Sequence, residues 1–184
     1  RAGVADKADF REQDLFKTDL SDASVITMYL LPEVNLQLRP SLLALAPGTR
    51  IVSHDWDMGD WQPDRSLTLD VPEKAIGREK LSRIHLWWVP ARVEGRWCGP
   101  AGRQLDLRQQ HQVVQGLLTA GAQRATQQVV GRARGRALEL LGAAGSLRLQ
   151  AVSDEQLRTV SARGTGFAGK GGWTRVAPTH PCPT

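Results

Sequence analysis

The chain holds only two cysteines, Cys98 and Cys182, and no C-x-x-C pair. That removes zinc ribbons and thioredoxin-type chemistry, and it leaves the cysteines as two free thiols or one incidental bridge. They say little about redox compartment. The four histidines, His54, His85, His111 and His180, show no ligand spacing either, so no metal centre is expected. No apolar run approaches the roughly 20 residues that a membrane-spanning helix needs. Residue 1 is Arg rather than Met, and no charged-then-apolar leader follows. This is the pattern expected of a piece of a longer protein or a processed product. Lysine is scarce in the second half, where Lys170 is the sole lysine among 13 basic residues.

What is present is a chain of 184 residues, 41% hydrophobic, enough to build a packed core. Charge divides it. Residues 1–90 carry 11 Lys/Arg against 14 Asp/Glu, and residues 91–184 carry 13 against 5. Such asymmetry marks two units with different surfaces, here 1–91 and 92–184. The arginines of the second half read as scattered and solvated, with only Arg132, Arg134 and Arg136 closely grouped. A charged strand face explains that group more readily than a nucleic-acid site does, so nucleic acid is not the expected partner.

The two halves also differ in rhythm. DFREQDLF (9–16) can form a short strand ending at Asp14. SVITMYLL (24–31) is a continuous apolar run, which suits a central strand covered on both faces. EVNLQLRPSLLALAP (33–47) has helical spacing, with a kink or break expected at Pro40 and a stop at Pro47-Gly48. TRIVSHDW (49–56) predicts a second central strand. This β–α–β order implies a mostly parallel sheet. Beyond Trp56 the chain turns loop-like, with a short strand at 66–71 and a longer one within 83–95, as an antiparallel edge would give. Fourteen of the eighteen glycines lie beyond residue 90. Short alternating runs at 104–114, 136–141, 146–152, 156–162 and 172–176 separate them, predicting a small all-β barrel or sandwich followed by a loose Pro-rich tail. The 104–114 run could alternatively be helical, although Gly116, Val113 and Val114 favour strand.

In open α/β sheets, ligands bind beyond the carboxyl ends of the strands. Three such ends carry polar or aromatic groups: Asp14, Tyr29 with Pro32, and His54 with Asp55 and Trp56. Pro32 fixes its own φ and holds the preceding residue extended, which stiffens the turn. Three clusters at three successive strand ends predict one cleft.

These residues carry a resemblance. DLFKTDLSDASVITMYLLPEVNLQLRPSLLALAPGTRIVSHDWDMGDWQPD is similar to the later part of a bacterial class I S-adenosylmethionine-dependent methyltransferase domain, of a group related to protein lysine methyltransferases. The resemblance covers residues 1 to about 90. It implies that Asp14 approaches the adenine of the donor S-adenosylmethionine, that Leu15 lines the same pocket, and that Tyr29, Leu30 and Pro32 face the methyl group and the acceptor. His54, Asp55, Trp56 and Trp61 would then flank the acceptor cleft. The family's Gly-rich loop and its ribose-binding acid have no counterpart here, since RAGVADKADF looks like the end of a helix that follows those elements. The chain alone is therefore expected to be inactive. Methyl transfer is an in-line displacement that needs proximity, a desolvated pocket and an unprotonated acceptor. In this reading Tyr29 orients the acceptor, possible acceptors including a protein lysine, and His54 or Asp55 helps with its proton. The alternative is a non-enzymatic module in which the β half binds a peptide or lipid-like ligand.

Overall fold

The computed structural model describes residues 3–4, 6–75, 80–121, 123–164, 166–167 and 170–183. The first half forms β1 (Val25–Met28), α1 (Pro32–Leu43), β2 (Arg50–His54), β3 (Arg65–Asp70) and β4 (Leu81–Trp88). These strands make one sheet in the order β1-β2-β4-β3. Strands β1 and β2 run parallel, with Val25 opposite Arg50, as the β–α–β order requires. The other two pairings, β2 with β4 and β3 with β4, are antiparallel. The sheet is thus mixed, not mostly parallel, and β1 is its edge rather than its centre. Val25 and Thr27 are accordingly exposed, and only Met28 of that strand is fully buried.

Two further expectations fail in this half. Residues 8–14 form no strand, and the described residues before them form no helix. The segment DFREQD holds one large apolar residue, Phe10, which stays 93% exposed. With nothing to bury, Asp14 instead caps a single 3-10 turn at Leu15–Lys17, accepting a hydrogen bond from the Phe16 amide at 2.9 Å. Pro40 does not break α1. It lies on the exposed face with Leu36, where water can serve the carbonyl that proline leaves unbonded. Pro32 stands at the first helical position and Leu31 before it is extended, as proline imposes. The buried face of α1, Leu38 and Leu42, packs with Met28, Ile51, Met58, Trp61 and Trp87 in one core.

The second half is a closed barrel of eight strands: β5 (Gly95–Cys98), β6 (Gln104–Gln110), β7 (Val113–Ala120), β8 (Ala125–Arg134), β9 (Ala137–Gly142), β10 (Gly145–Ser153), β11 (Gln156–Gly164) and β12 (Gly172–Val176). All neighbours are antiparallel, and β12 closes on β5. The 104–114 run is β6 with the start of β7, turning at His111, so the helical alternative is excluded. Alternating inward residues fill the interior, with Trp97, Trp173 and Phe167 as the bulkiest. Gly99 is required by packing: a Cβ there would lie 2.4 Å from the Trp173 ring.

The C-terminal tail is pinned rather than loose. Cys182 forms a disulfide with Cys98 of β5 and is buried. The Arg96 guanidinium also donates to the His180 carbonyl at 3.4 Å. The bridge closes 84 residues of chain. A loop of that length restricts the unfolded ensemble enough to stabilise the fold by about 2–4 kcal/mol. The double substitution Cys98→Ser/Cys182→Ser is expected to lower the unfolding free energy by that amount in urea titration. A loss below about 0.5 kcal/mol would show that the tail contributes nothing to barrel stability.

The two halves meet through the tip of the β6–β7 hairpin. His111, held at φ 52°, stacks on Trp61 with ring centroids 6.1 Å apart. Its Nε2 lies 3.3 Å from the Asp60 carboxylate, which also pairs with Arg39 of α1. Gln112 donates to the Gln62 carbonyl at 2.6 Å, and the Ala91 amide donates to the Gly135 carbonyl at 2.8 Å. The Arg134 guanidinium lies 3.6 Å over the Trp88 ring.

Candidate functional site

The carboxyl ends of β1 and β2 are adjacent because the two strands are parallel and in register. Each strand ends by delivering one ring to the rim. Tyr29 follows Met28 and is 70% exposed, and His54 ends β2. The rings meet edge to face, 4.6 Å between centroids. His54 Nδ1 is buried and has no hydrogen-bond partner among the described residues. That nitrogen faces inward, 3.8 Å from the Asp55 carboxylate, and the ring as a whole stays partly exposed beside the phenol.

His54 is held by the residues around it. Asp55 adopts φ 64°, a left-handed conformation that non-glycine residues seldom take. Its amide donates to the Arg83 carbonyl at 2.6 Å, and its carboxylate accepts from the Arg83 amide at 2.8 Å. The other carboxylate oxygen receives the Lys74 ammonium at 2.5 Å, and Lys74 also donates to the Leu81 carbonyl. Burial opposes ionisation of Asp55, but Lys74, the Arg83 amide and the nearby His54 ring outweigh it and hold the carboxyl below its ordinary value. A carboxylate so stabilised is a weak proton acceptor. Asp55 therefore latches the end of β2 to β4.

Asn35 of α1 supports the same end from beneath. It is fully buried, and its Nδ2 donates to Ser53 Oγ at 3.1 Å and to the Trp56 and Asp57 carbonyls at 3.3 Å each. Helix, strand end and following loop are thereby tied at one amide. Neither Asn35 nor Lys74 was singled out from the sequence. Asn35 lies inside the PEVN stretch that carried the resemblance, and an asparagine facing the core from the first turn of α1 was the available signal. Lys74 is 19 residues from Asp55 in a loop, and no local pattern announces that pair.

The remaining expected site residues are dispersed. Asp14 is engaged in its own turn and lies 3.4 Å from Lys17. No hydrogen bond or ring contact joins it to Tyr29 or His54 among the described residues, whereas Tyr29 and His54 touch each other. Leu15 and Leu30 are partly buried against the sheet core. Pro32 opens α1. Trp56 remains 45% exposed beside His54. Trp61 is fully buried between Trp87 and His111, which leaves it no free surface for a substrate. It cements the junction with the barrel.

Residues 1–65 match the family model for the ANTKMT methyltransferase domain. A protein-lysine N-methyltransferase of Saccharolobus islandicus (strain REY15A) is 39% identical over 69 residues, which are 37% of this chain and 43% of that protein. The chain thus spans less than half the length of this curated relative. An RNA methyltransferase from Salinibacter ruber, solved with S-adenosyl-L-homocysteine, is 47% identical over 50% of this chain and 54% of its own, with a TM-score of 0.41. The methyltransferase match ends at Arg65, so it includes β1, α1, β2 and the Tyr29–His54 rim but stops before the barrel.

The state of Asp55 has a consequence for stability. Its folded-state pKa is depressed, so its contribution is present above the unfolded value near 3.9 and is lost as pH falls through the folded value. Asp60, lowered chiefly by its hydrogen bond to His111 and further by Arg39, acts in the same direction. The Asp55→Asn variant is expected to lose stability at pH 7 and to show a flatter acid limb below about pH 4 in thermal melts. An acid limb identical to that of the parent would remove Asp55 as the latch.

Proposed function

We propose that this chain carries the acceptor side of an S-adenosylmethionine-dependent methyltransferase, with a protein lysine as the methyl acceptor. The observation that carries the reading is the Tyr29–His54 pair at two adjacent parallel strand ends, within the segment that matches the family. The lysine acceptor is suggested by the activity named for the Saccharolobus relative. S-adenosylmethionine, when bound, supplies an electrophilic methyl group.

The residues present fit the acceptor side of that reaction. The partly exposed His54 ring and the Tyr29 hydroxyl offer polar contacts to an amine, and the exposed Tyr29 ring and the half-exposed Trp56 give an apolar wall against which an alkylamine stem can lie. A lysine must reach this rim unprotonated, and partial desolvation lowers its pKa in the required direction. Asp14, Leu15, Tyr29 and Leu30 are the residues proposed to touch the donor. The glycines before residue 90 are isolated, at positions 3, 48, 59 and 77, so no Gly-rich turn stands within these residues to admit the donor's backbone-held part. Donor affinity of the 184 residues alone is accordingly expected to be weak, and turnover to need polypeptide that supplies such a turn.

A second reading rests on the barrel, whose wall carries a groove of about 840 Å³ bordered by Arg96, Leu117, Val130 and Pro178 of the tail. It would make the barrel a ligand-binding module with the sheet as scaffold.

A chimera that joins this chain to the unmatched remainder of the Saccharolobus protein discriminates the two. Calorimetry with S-adenosyl-L-homocysteine should show binding to the chimera, and Tyr29→Phe and His54→Ala should each lower kcat by about 10-fold or more. A chimera that binds and turns over with both variants unimpaired would remove these residues from the mechanism. A folded chimera with no donor affinity would favour the barrel reading.

A further inference from the structure

The arginines that look scattered in sequence are aligned by the barrel's register. Across β8, β9, β10 and β11, the paired positions Arg132–Glu139–Arg148–Ser161 form one outward row. The next row is Arg134–Ala137–Gln150–Arg158, and the row on the other side ends at Arg163, opposite Ser146. All five arginines are exposed. Two carboxylates border these arginines, both in pairs that an incoming phosphate would compete with: Glu139 with Arg148 at 2.6 Å, and Asp64 with Arg132 at 3.7 Å.

We infer that this face of the barrel docks on the phosphate backbone of a double-stranded nucleic acid. Strands about 4.8 Å apart and rows two residues apart give a patch of roughly 14 by 13 Å. A duplex carries a phosphate charge about every 1.7 Å of its axis, so several fall within that span. Guanidinium groups suit phosphate through paired N–H donors. Two arginines are held in place: Arg134 lies flat on Trp88, and Arg158 donates to Gln150 at 3.0 Å. The barrel's large aromatic residues, Trp97, Trp173 and Phe167, are all buried, which leaves no platform for stacking single-stranded bases. The exposed aliphatic residues of the patch are Val130, Leu141 and Val160, interspersed among the arginines. Contacts of this kind position a duplex without reading its sequence. The inference is independent of the methyl-transfer reading.

The test is fluorescence anisotropy of the 184-residue protein with a labelled 20-base-pair RNA duplex of arbitrary sequence. Four phosphate contacts, from Arg132, Arg148, Arg158 and Arg163, should weaken affinity about 150-fold between 50 and 200 mM salt. Arg132→Gln/Arg148→Gln/Arg158→Gln should cut the logarithmic salt slope from about −3.6 to about −1. The corresponding triple Lys variant, which keeps the charge, should retain most of that slope, and this separates loss of charge from loss of fold. No binding at 50 mM salt would overturn the assignment. So would a slope untouched by the Gln variant with its melting temperature unchanged, or equal or tighter binding to a 20-residue polyglutamate peptide or to phosphatidylserine vesicles.

Discussion

One buried amide organises the catalytic-looking end of this molecule. Asn35 donates to the Ser53 hydroxyl and to the carbonyls of Trp56 and Asp57. Without those bonds, two backbone carbonyls and a buried hydroxyl would stand against the helix unserved, at a cost of about 1–3 kcal/mol each. The arrangement is not free of penalty, since Asn35 Oδ1 has no partner among the described residues. Local dissatisfaction of this kind is tolerated where geometry matters more than stability. The amide sets where β2 ends, and through it where the His54 ring stands. Asp55 adds a second fixation from β4, and its left-handed backbone is tolerated because three hydrogen bonds, two with the Arg83 backbone and one from Lys74, over-determine it.

The barrel joins this support. Residues 58–62 follow directly on the segment that Asn35 binds, and the β6–β7 hairpin tip grips them. Arg39 bridges back to Met58 and Asp60, His111 covers Trp61, and Gln112 holds Gln62. Burial of the Trp61 ring at this seam removes a large apolar surface from water, worth several kcal/mol on either side of the junction. Rim loop and barrel are therefore packed together, although the methyltransferase match stops at Arg65.

The sequence disclosed the elements whose causes are local. Alternation and glycine spacing marked five barrel runs, because each strand needs one buried face and each turn a permissive residue. They did not mark β8, where ATQQVVGRAR dilutes the apolar rows with glutamine and glycine. Parallel pairing of β1 with β2 followed from the connecting helix. The position of β1 at an edge did not, because an apolar run records burial without naming the neighbour that causes it. The strand proposed over 9–16 failed for want of apolar partners, and Asp14 caps a 3-10 turn in its place. Tyr29 and His54 were legible as strand-end residues. Asn35, Lys74 and the buried role of Trp61 were not, since each depends on contacts 18 or more residues away. The arginine rows are an effect of register across four strands, which composition cannot express.

The central claim is that Asn35 fixes the end of β2 and so the rim. Hydrogen exchange of the Asn35 side-chain amide, followed by nuclear magnetic resonance, tests it most directly. The account predicts one sharp pair of Nδ2 proton resonances, protected to the degree of the β2 backbone amides. An Asn35 amide that exchanges at the rate of a free side chain, while β2 remains protected, would contradict it.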